Sequence, residues 1–189
     1  MPFINLSAED RHTLISLARE SIRVRLLFDR DLRIDETAFS PALQQWAASF
    51  VTLKIHGKLR GCIGTLEARQ PLVQDVVHNA AAAALDDPRF PPLTLEEESE
   101  TSIDISVLTV PEPLQFTTED ELLAQLSPGV DGLIIEAGVH RATFLPSVWG
   151  SLPDKAQFLR QLKLKAGMEL DISPAKLKAW RYQADSFGE

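Results

Sequence analysis

Apolar positions Leu14, Leu17, Ala18 and Leu26, with Ser21 among them, recur near helical spacing between Ala8 and Phe28. That spacing predicts one long amphipathic helix. Ser7 precedes it as an N-cap, and Asp10 stands three residues on, as in a capping box. Pro41 behind Ser40 permits a short helical turn before Ala48. From Phe50 the period drops to two. Val51, Leu53 and Ile55 alternate with Thr52 and Lys54, the pattern of a half-buried strand.

Gly57 marks a turn, and Leu59–Ile63 reads as the returning strand. Two registers compete. A two-residue turn at Gly57-Lys58 pairs Ile55 with Arg60 and mixes the faces. A three-residue turn, His56-Gly57-Lys58, pairs Ile55 with Leu59, Leu53 with Gly61 and Val51 with Ile63. Every apolar side chain then shares one face, as a buried sheet requires, so this register is preferred. It turns Arg60 and Cys62 to the opposite face, beside Lys54 and Thr52.

Pro71 suits the first position of a helix running to about Leu85. Its buried stripe is Leu72, Val73, Val76, Val77, Ala80 and Ala84, and the alanines from 80 to 84 suit close packing on a sheet. The segment Asp86-Asp87-Pro88-Arg89-Phe90-Pro91-Pro92 ends it. Further on come a strand at Ile103–Val110, a helix at Thr118–Leu126, and a hairpin of Leu133–Glu136 and Arg141–Leu145 around Gly138. A helix follows from the Asp154 cap to Ala166, closed by Gly167, and then a last strand, Leu177–Ala184. Strands and helices interleave irregularly through short connections. This predicts an α+β fold with a central, mostly antiparallel sheet flanked by helices. Residues 1–189 read as a single domain, with room for a smaller second lobe.

Composition adds limits. The 189 residues are 44% apolar and 24% charged, a globular balance. A chain of this length buries about 70% of its unfolded surface and needs no disulfide or metal to fold. A net charge of −8 argues against nucleic-acid binding, which rests on neutralising phosphates. The densest basic run, Arg160 to Lys165, reads as a solvated helix face. Cys62 is the one cysteine, which suits a reducing cytosol. Met1–Glu9 lacks signal-peptide features, and no apolar run reaches the roughly 18 residues of a membrane helix. The expectation is a cytoplasmic protein without membrane contact.

The four histidines, His12, His56, His78 and His140, form no spaced pair, so neither a metal nor a cofactor is expected. His78 lies three residues after Asp75 and reads as its surface ion-pair partner. His56 sits in the hairpin loop, six residues from Cys62, either as a base or as a plain loop residue. Nucleophile-elbow, Walker and dinucleotide glycine patterns are absent. Trp46, Trp149, Trp180 and Phe144 read as core or rim aromatics.

The chemistry-bearing candidates gather at two places. Cys62 shares a face with Arg60 and Lys54, and nearby cations favour the nucleophilic thiolate. Gly61 and Gly64 leave room for a ligand or for another backbone. The plainer reading of Cys62 is a small hydrophobe packed under a helix. At the second place, Asp86 and Asp87 stand at a helix C-terminus, against the dipole. Either they line a polar pocket with Arg89, or they form an Asp-Pro turn paired to Arg89 or Arg60. The enzyme reading makes Cys62 and Asp86 catalytic. Arg60, Gly61, Gly64, Asp87 and Arg89 then contact a small anionic ligand. The competing reading is a non-catalytic protein that docks a partner on the glycine-lined surface. Nucleic-acid binding is the weakest of the three.

The string Leu59-Arg60-Gly61-Cys62-Ile63-Gly64 resembles the signature of the AMMECR-one domain family. Phe50–Leu53, Ala84–Leu93, Ile105–Leu108 and Phe144–Trp149 resemble its other landmarks, in order, so the resemblance spans about Leu14 to Phe187. It implies an α+β fold whose core sheet carries the motif, in a family often without an assigned reaction. Prokaryotic members resemble protein A of the three-part AmmeMemoRadiSam set. That implies a Memo-like protein and a radical SAM enzyme as partners. What the family marks as special falls on Arg60, Gly61, Cys62, Gly64 and the Asp86–Phe90 loop.

Overall fold

A computed structural model describes residues 3–189. The fold is α+β, with its strands divided between two four-stranded sheets, ordered β2-β1-β3-β8 and β4-β7-β5-β6. The chain forms two compact units: residues up to Val110 with Asp185–Glu189, and Pro111–Ala184.

In the first unit, helix α1 (Ala8–Phe28) starts at the Ser7 cap, and the Asp10 side chain accepts the Ser7 N–H, completing the capping box. Helix α2 (Leu72–Leu85) starts one residue later than expected, because Pro71 is its N-cap. Strands β1 (Ser49–Ile55) and β3 (Thr101–Leu108) follow the predicted alternation, and β2 (Lys58–Gly64) joins it from Gly61 onward. Val51, Leu53, Ile103, Ile105 and Val107 face Leu14, Ala18 and Ile22 of α1 and Leu72, Val76, Ala80 and Ala83 of α2 in one buried cluster. The Ser21 hydroxyl joins the two helices by donating to the Val77 carbonyl at 2.7 Å.

The β1–β2 hairpin keeps the preferred register at Leu53–Gly61 and Val51–Ile63 but reaches it through a different turn. Its turn is His56-Gly57, with φ of 51° and 76°. Two positive φ values are what a two-residue turn of the I′ type needs, and histidine tolerates this region better than most residues. Ile55 therefore pairs with Lys58 and Lys54 with Leu59. The register then shifts, and Leu53 pairs with Gly61, Thr52 with Cys62 and Val51 with Ile63. Arg60 is the extra residue, so a β-bulge restores the core-facing pattern that the three-residue turn was expected to supply. Leu59 pays no part in the core as a result: it is 45% exposed.

The loop after α2 holds a short helix that the pattern did not reveal, α3 (Leu95–Glu98). In the second unit, β4 (Glu112–Leu114), β5 (Gly132–Ala137), β6 (His140–Phe144) and β7 (Lys178–Tyr182) form an antiparallel sheet. It carries helices α4 (Glu119–Ala124) and α5 (Lys155–Ala166). Gly167 closes α5 at φ 70°. The core gathers Leu122, Leu133, Ile135, Phe158, Leu159 and Leu162, and the Trp149 ring stacks on Phe158 at 3.6 Å.

Several expectations need correction. The last predicted strand, Leu177–Ala184, is β7 of the second sheet, and it is followed by a strand that was not expected, β8 (Ala184–Gly188), at the edge of the first. The basic run on α5 is solvated at Arg160 and Lys165 but not at Lys163. Lys163 is buried, pairs with Glu119 and donates to the Leu170 carbonyl at 2.9 Å. Trp46 is neither core nor rim, since two thirds of its surface, 66%, is exposed. Asp75 is not the surface partner of His78. It is fully buried against β1.

Candidate functional site

Cys62 lies on β2 directly opposite Thr52, and the Thr52 hydroxyl donates to its sulfur at 3.3 Å. The thiol is half-buried, on the face turned away from Val51 and Leu53. Lys54 lies on that face two residues along, but its ammonium is held by Asp104 of β3 at 2.6 Å. His56 sits at the hairpin tip, exposed, and pairs with Glu100 at 3.1 Å. Four residues of strand between His56 and Thr52 amount to about 13 Å, which puts the imidazole out of reach of the thiol.

Arg60 projects from the bulge and grips the Glu97 carboxylate with a two-pronged fork, Nε to Oε1 at 2.9 Å and Nη2 to Oε2 at 2.8 Å. Nη2 also reaches the Pro92 carbonyl at 3.3 Å. The fork holds the Glu97 carboxyl below its ordinary pKa. Glu97 in turn accepts the Thr94 N–H and so closes the capping box of α3. The guanidiniums of Arg60 and Arg89 both lie against the Phe90 ring, 5.9 and 5.5 Å from its centroid.

The two carboxylates of the acidic corner part company. Asp86 is the C-cap residue of α2, its N–H on the Ala82 carbonyl, and it is exposed. Asp87 is buried, 4% exposed. Its Oδ2 accepts the backbone N–H of Cys62 at 2.8 Å and Nη2 of Arg89 at 2.7 Å, while Oδ1 accepts Nε of Arg89 at 2.9 Å. Arg89 Nη2 also donates to the Cys62 carbonyl at 3.3 Å. The Arg89 bonds lower the Asp87 pKa from 3.8 to about 2, against the opposing effect of burial, and the Cys62 N–H adds to the lowering.

The glycines of the motif serve the protein's own packing. A Cβ at Gly61 would lie 2.1 Å from the Ala83 carbonyl oxygen, so residue 61 is where α2 rests on the sheet. At Gly64 the corresponding space is filled by the Phe50 ring at 2.3 Å. The fold thus brings Cys62, Asp87 and Arg89 into direct contact. Arg60 shares the Phe90 ring with Arg89, and Asp86 is exposed at the end of α2.

A second polar cluster lies beneath, and the sequence reading missed it. Asp75 accepts the Ser49 N–H at 2.9 Å, the Ser49 hydroxyl at 2.7 Å, the Thr65 hydroxyl at 3.0 Å, Gln70 Nε2 at 3.2 Å and Asn79 Nδ2 at 2.9 Å. The signal was available. Asp75 and Asn79 are four residues apart, on the same helical face as Leu72, Val76 and Ala83. Glu97 was readable as well, as the fourth residue of the Thr94-Leu95-Glu96-Glu97 capping pattern. Among the described residues, no group of three or more His, Cys, Asp or Glu is arranged to hold a metal ion. No described helix is long and apolar enough to cross a membrane.

A model of the AMMECR1 family matches residues 15–187. A protein of Methanothermobacter thermautotrophicus is 37% identical over 193 aligned residues, covering 100% of this chain and 99% of its own. One from Thermofilum pendens is 37% identical over 202, covering 97% and 92%. The crystal structure of an uncharacterized protein from Pyrococcus horikoshii matches with a TM-score of 0.90 at 32% identity, covering 99% of this chain and 94% of that one.

Proposed function

The chain belongs to the AMMECR1 family, and on that footing we propose that its LRGCIG hairpin docks a partner protein rather than binding a small anionic substrate. The observation that carries this reading is the state of the cations around Cys62. Arg60 is forked on Glu97, Arg89 on Asp87 and Lys54 on Asp104. An anionic ligand at Cys62 would have to displace one of these carboxylates to use any of the three cations. What the motif leaves to solvent is apolar: Leu59, 45% exposed, on the bulge next to Arg60. Exposed apolar and aromatic groups beside arginine are the side chains that anchor protein interfaces. Half-buried Phe90, against two guanidiniums, belongs to the same class.

The partner that fits the family reading is one of the other two members of the three-part set, the Memo-like protein or the radical SAM enzyme. The interaction is set in the cytoplasm, where the unpaired thiol stays reduced. Co-expression with each partner separately tests the proposal. Leu59→Asp is expected to abolish co-purification with one of them, and Cys62→Ser to leave it intact. A complex that tolerates Leu59→Asp sinks the docking reading. Rapid alkylation of Cys62 at pH values well below the usual thiol range, with retained partner binding by Leu59→Asp, favours the enzyme reading instead. In that reading Cys62 is the nucleophile and Asp86, free at the surface, the base.

A further inference from the structure

Strand β2 is the edge of its sheet. In an antiparallel ladder, alternate residues turn both backbone polar groups away from their partner. Cys62 is such a residue, and its outward N–H and C=O face the side where another strand would add. A neighbouring strand would offer a carbonyl to the N–H and an amide to the C=O. Asp87 and Arg89 offer the same two functions from side chains. A carboxylate oxygen stands 2.8 Å from the Cys62 nitrogen and a guanidinium N–H donor 3.3 Å from the Cys62 oxygen.

The surrogate is built to stay in place. Its two halves are bonded to each other at 2.7 and 2.9 Å, and the Asp87 side chain is only 3% exposed. Pro88 between them lacks an N–H and so cannot donate to a further strand. The bulge at Arg60 lies two residues along the same edge, where the Arg60–Glu97 fork holds the strand to α3. Bulges, prolines and charges set against an edge are the means by which sheets avoid pairing with one another.

We infer that the Asp87–Arg89 pair is an edge guard, and that the strand it excludes is β2 of a second copy of this chain. An edge strand can pair with its own copy about a two-fold axis, because the same groups face each other on both sides. An axis at Cys62 would set the two Cys62 residues opposite each other. Their Cα atoms would then be about 5.5 Å apart, within the span of a disulfide. The inference rests on the edge geometry alone, and results with the partner proteins do not bear on it.

The test uses the full chain, without partners. In the parent protein the Cys62 amide is expected to exchange slowly and diamide to give no cross-linked dimer. Asp87→Ala is expected to speed exchange at Cys62 about tenfold, the factor for one lost hydrogen bond, while Val51 and Ile103 keep their rates. The variant is expected to self-associate as concentration rises in sedimentation velocity. Diamide should then link it covalently through Cys62. Two thiols give up two electrons and two protons to diamide, which becomes the hydrazine, and one S–S bond forms. Asp87→Asn keeps an acceptor oxygen for the Cys62 N–H and is expected to remain unlinked. If Asp87→Ala does not fold, Arg89→Met, which frees the Cys62 carbonyl but keeps the Asp87 acceptor, carries the sedimentation and cross-linking measurements. A folded Asp87→Ala chain that stays monomeric and unlinked, or whose Cys62 amide exchanges at the parent rate, overturns the inference, as does a folded Arg89→Met chain that stays monomeric and unlinked.

Discussion

Gly61→Ala adds one methyl group at the closest approach between helix and sheet. The new Cβ would lie 2.1 Å from the Ala83 carbonyl oxygen and 3.1 Å from its carbon. Carbon–oxygen contacts settle near 3.3 Å, so α2 would have to withdraw by about 1 Å. Little in the fold allows that. Leu72, Val73, Val76 and Ala80 of α2 are all completely buried. Asp75 and Asn79 tie the helix to Ser49 of β1 through bonds of 2.7 to 3.1 Å. Overpacking a full core costs about 1–3 kcal/mol, and each polar bond stretched out of range adds about 1 kcal/mol. The expected loss is about 3 kcal/mol, or roughly 6–12 °C in melting temperature for a chain of this size. Urea unfolding followed by circular dichroism measures it, with an unchanged m-value showing that the unfolded reference is the same. Stability within about 0.5 kcal/mol of the parent would refute the reasoning, because α2 would then be free to slide on the sheet.

Two further outcomes follow from the buried carboxylates. Asp75→Ala leaves Ser49, Thr65, Gln70 and Asn79 without their shared acceptor. It is expected to cost about 3 kcal/mol in the same unfolding assay, and a parent-like midpoint would show that water replaces the carboxylate. Asp87 makes stability depend on acid. Its folded pKa, about 2, lies below the ordinary 3.8, so its contribution is complete above pH 5 and disappears as pH falls toward 2. The size is about 2 kcal/mol, and Asp87→Asn should flatten that part of the stability–pH curve. A variant curve parallel to the parent's would place the acid sensitivity elsewhere.

The longer helices, α1, α2 and α5, were legible because their signals are local. The Ser7 and Asp154 caps, the Gly167 stop and the alternation along β1 each need only a few neighbouring residues. The division into two sheets was not legible in this way. Strand β7 ends at Tyr182 and β8 begins at Ala184, with no turn residue between them to signal the change, and only long-range pairing assigns the two to different sheets. The hairpin lies between these cases. Burial demanded that Val51, Leu53, Gly61 and Ile63 share a face, and they do. Turn chemistry demanded a two-residue loop, since His56 and Gly57 both take positive φ. The two demands differ by one residue, and the chain satisfies both by bulging at Arg60. A reading that assumed an unbroken ladder had to sacrifice one of them.

The same bulge separates what composition could say about the site from what geometry says. Sequence marked Arg60, Cys62 and the Asp86–Phe90 corner as one neighbourhood, and in space the two segments do touch. Charge alone could not reveal how they touch. Arg60 was read as an anion ligand because it was placed in regular alternation beside Cys62. As the extra residue of a bulge, it is re-aimed at Glu97, a residue from a helix one turn long that had no apolar stripe to betray it. Asp86 and Asp87 look interchangeable in sequence. Only the helix end distinguishes them, leaving the first as an exposed cap and carrying the second under the edge of β2. Residues of one signature can therefore be gathered to hold a strand edge as well as to work on a ligand. The difference is whether their charges remain free, and here Arg60, Arg89 and Lys54 are each paired within the chain.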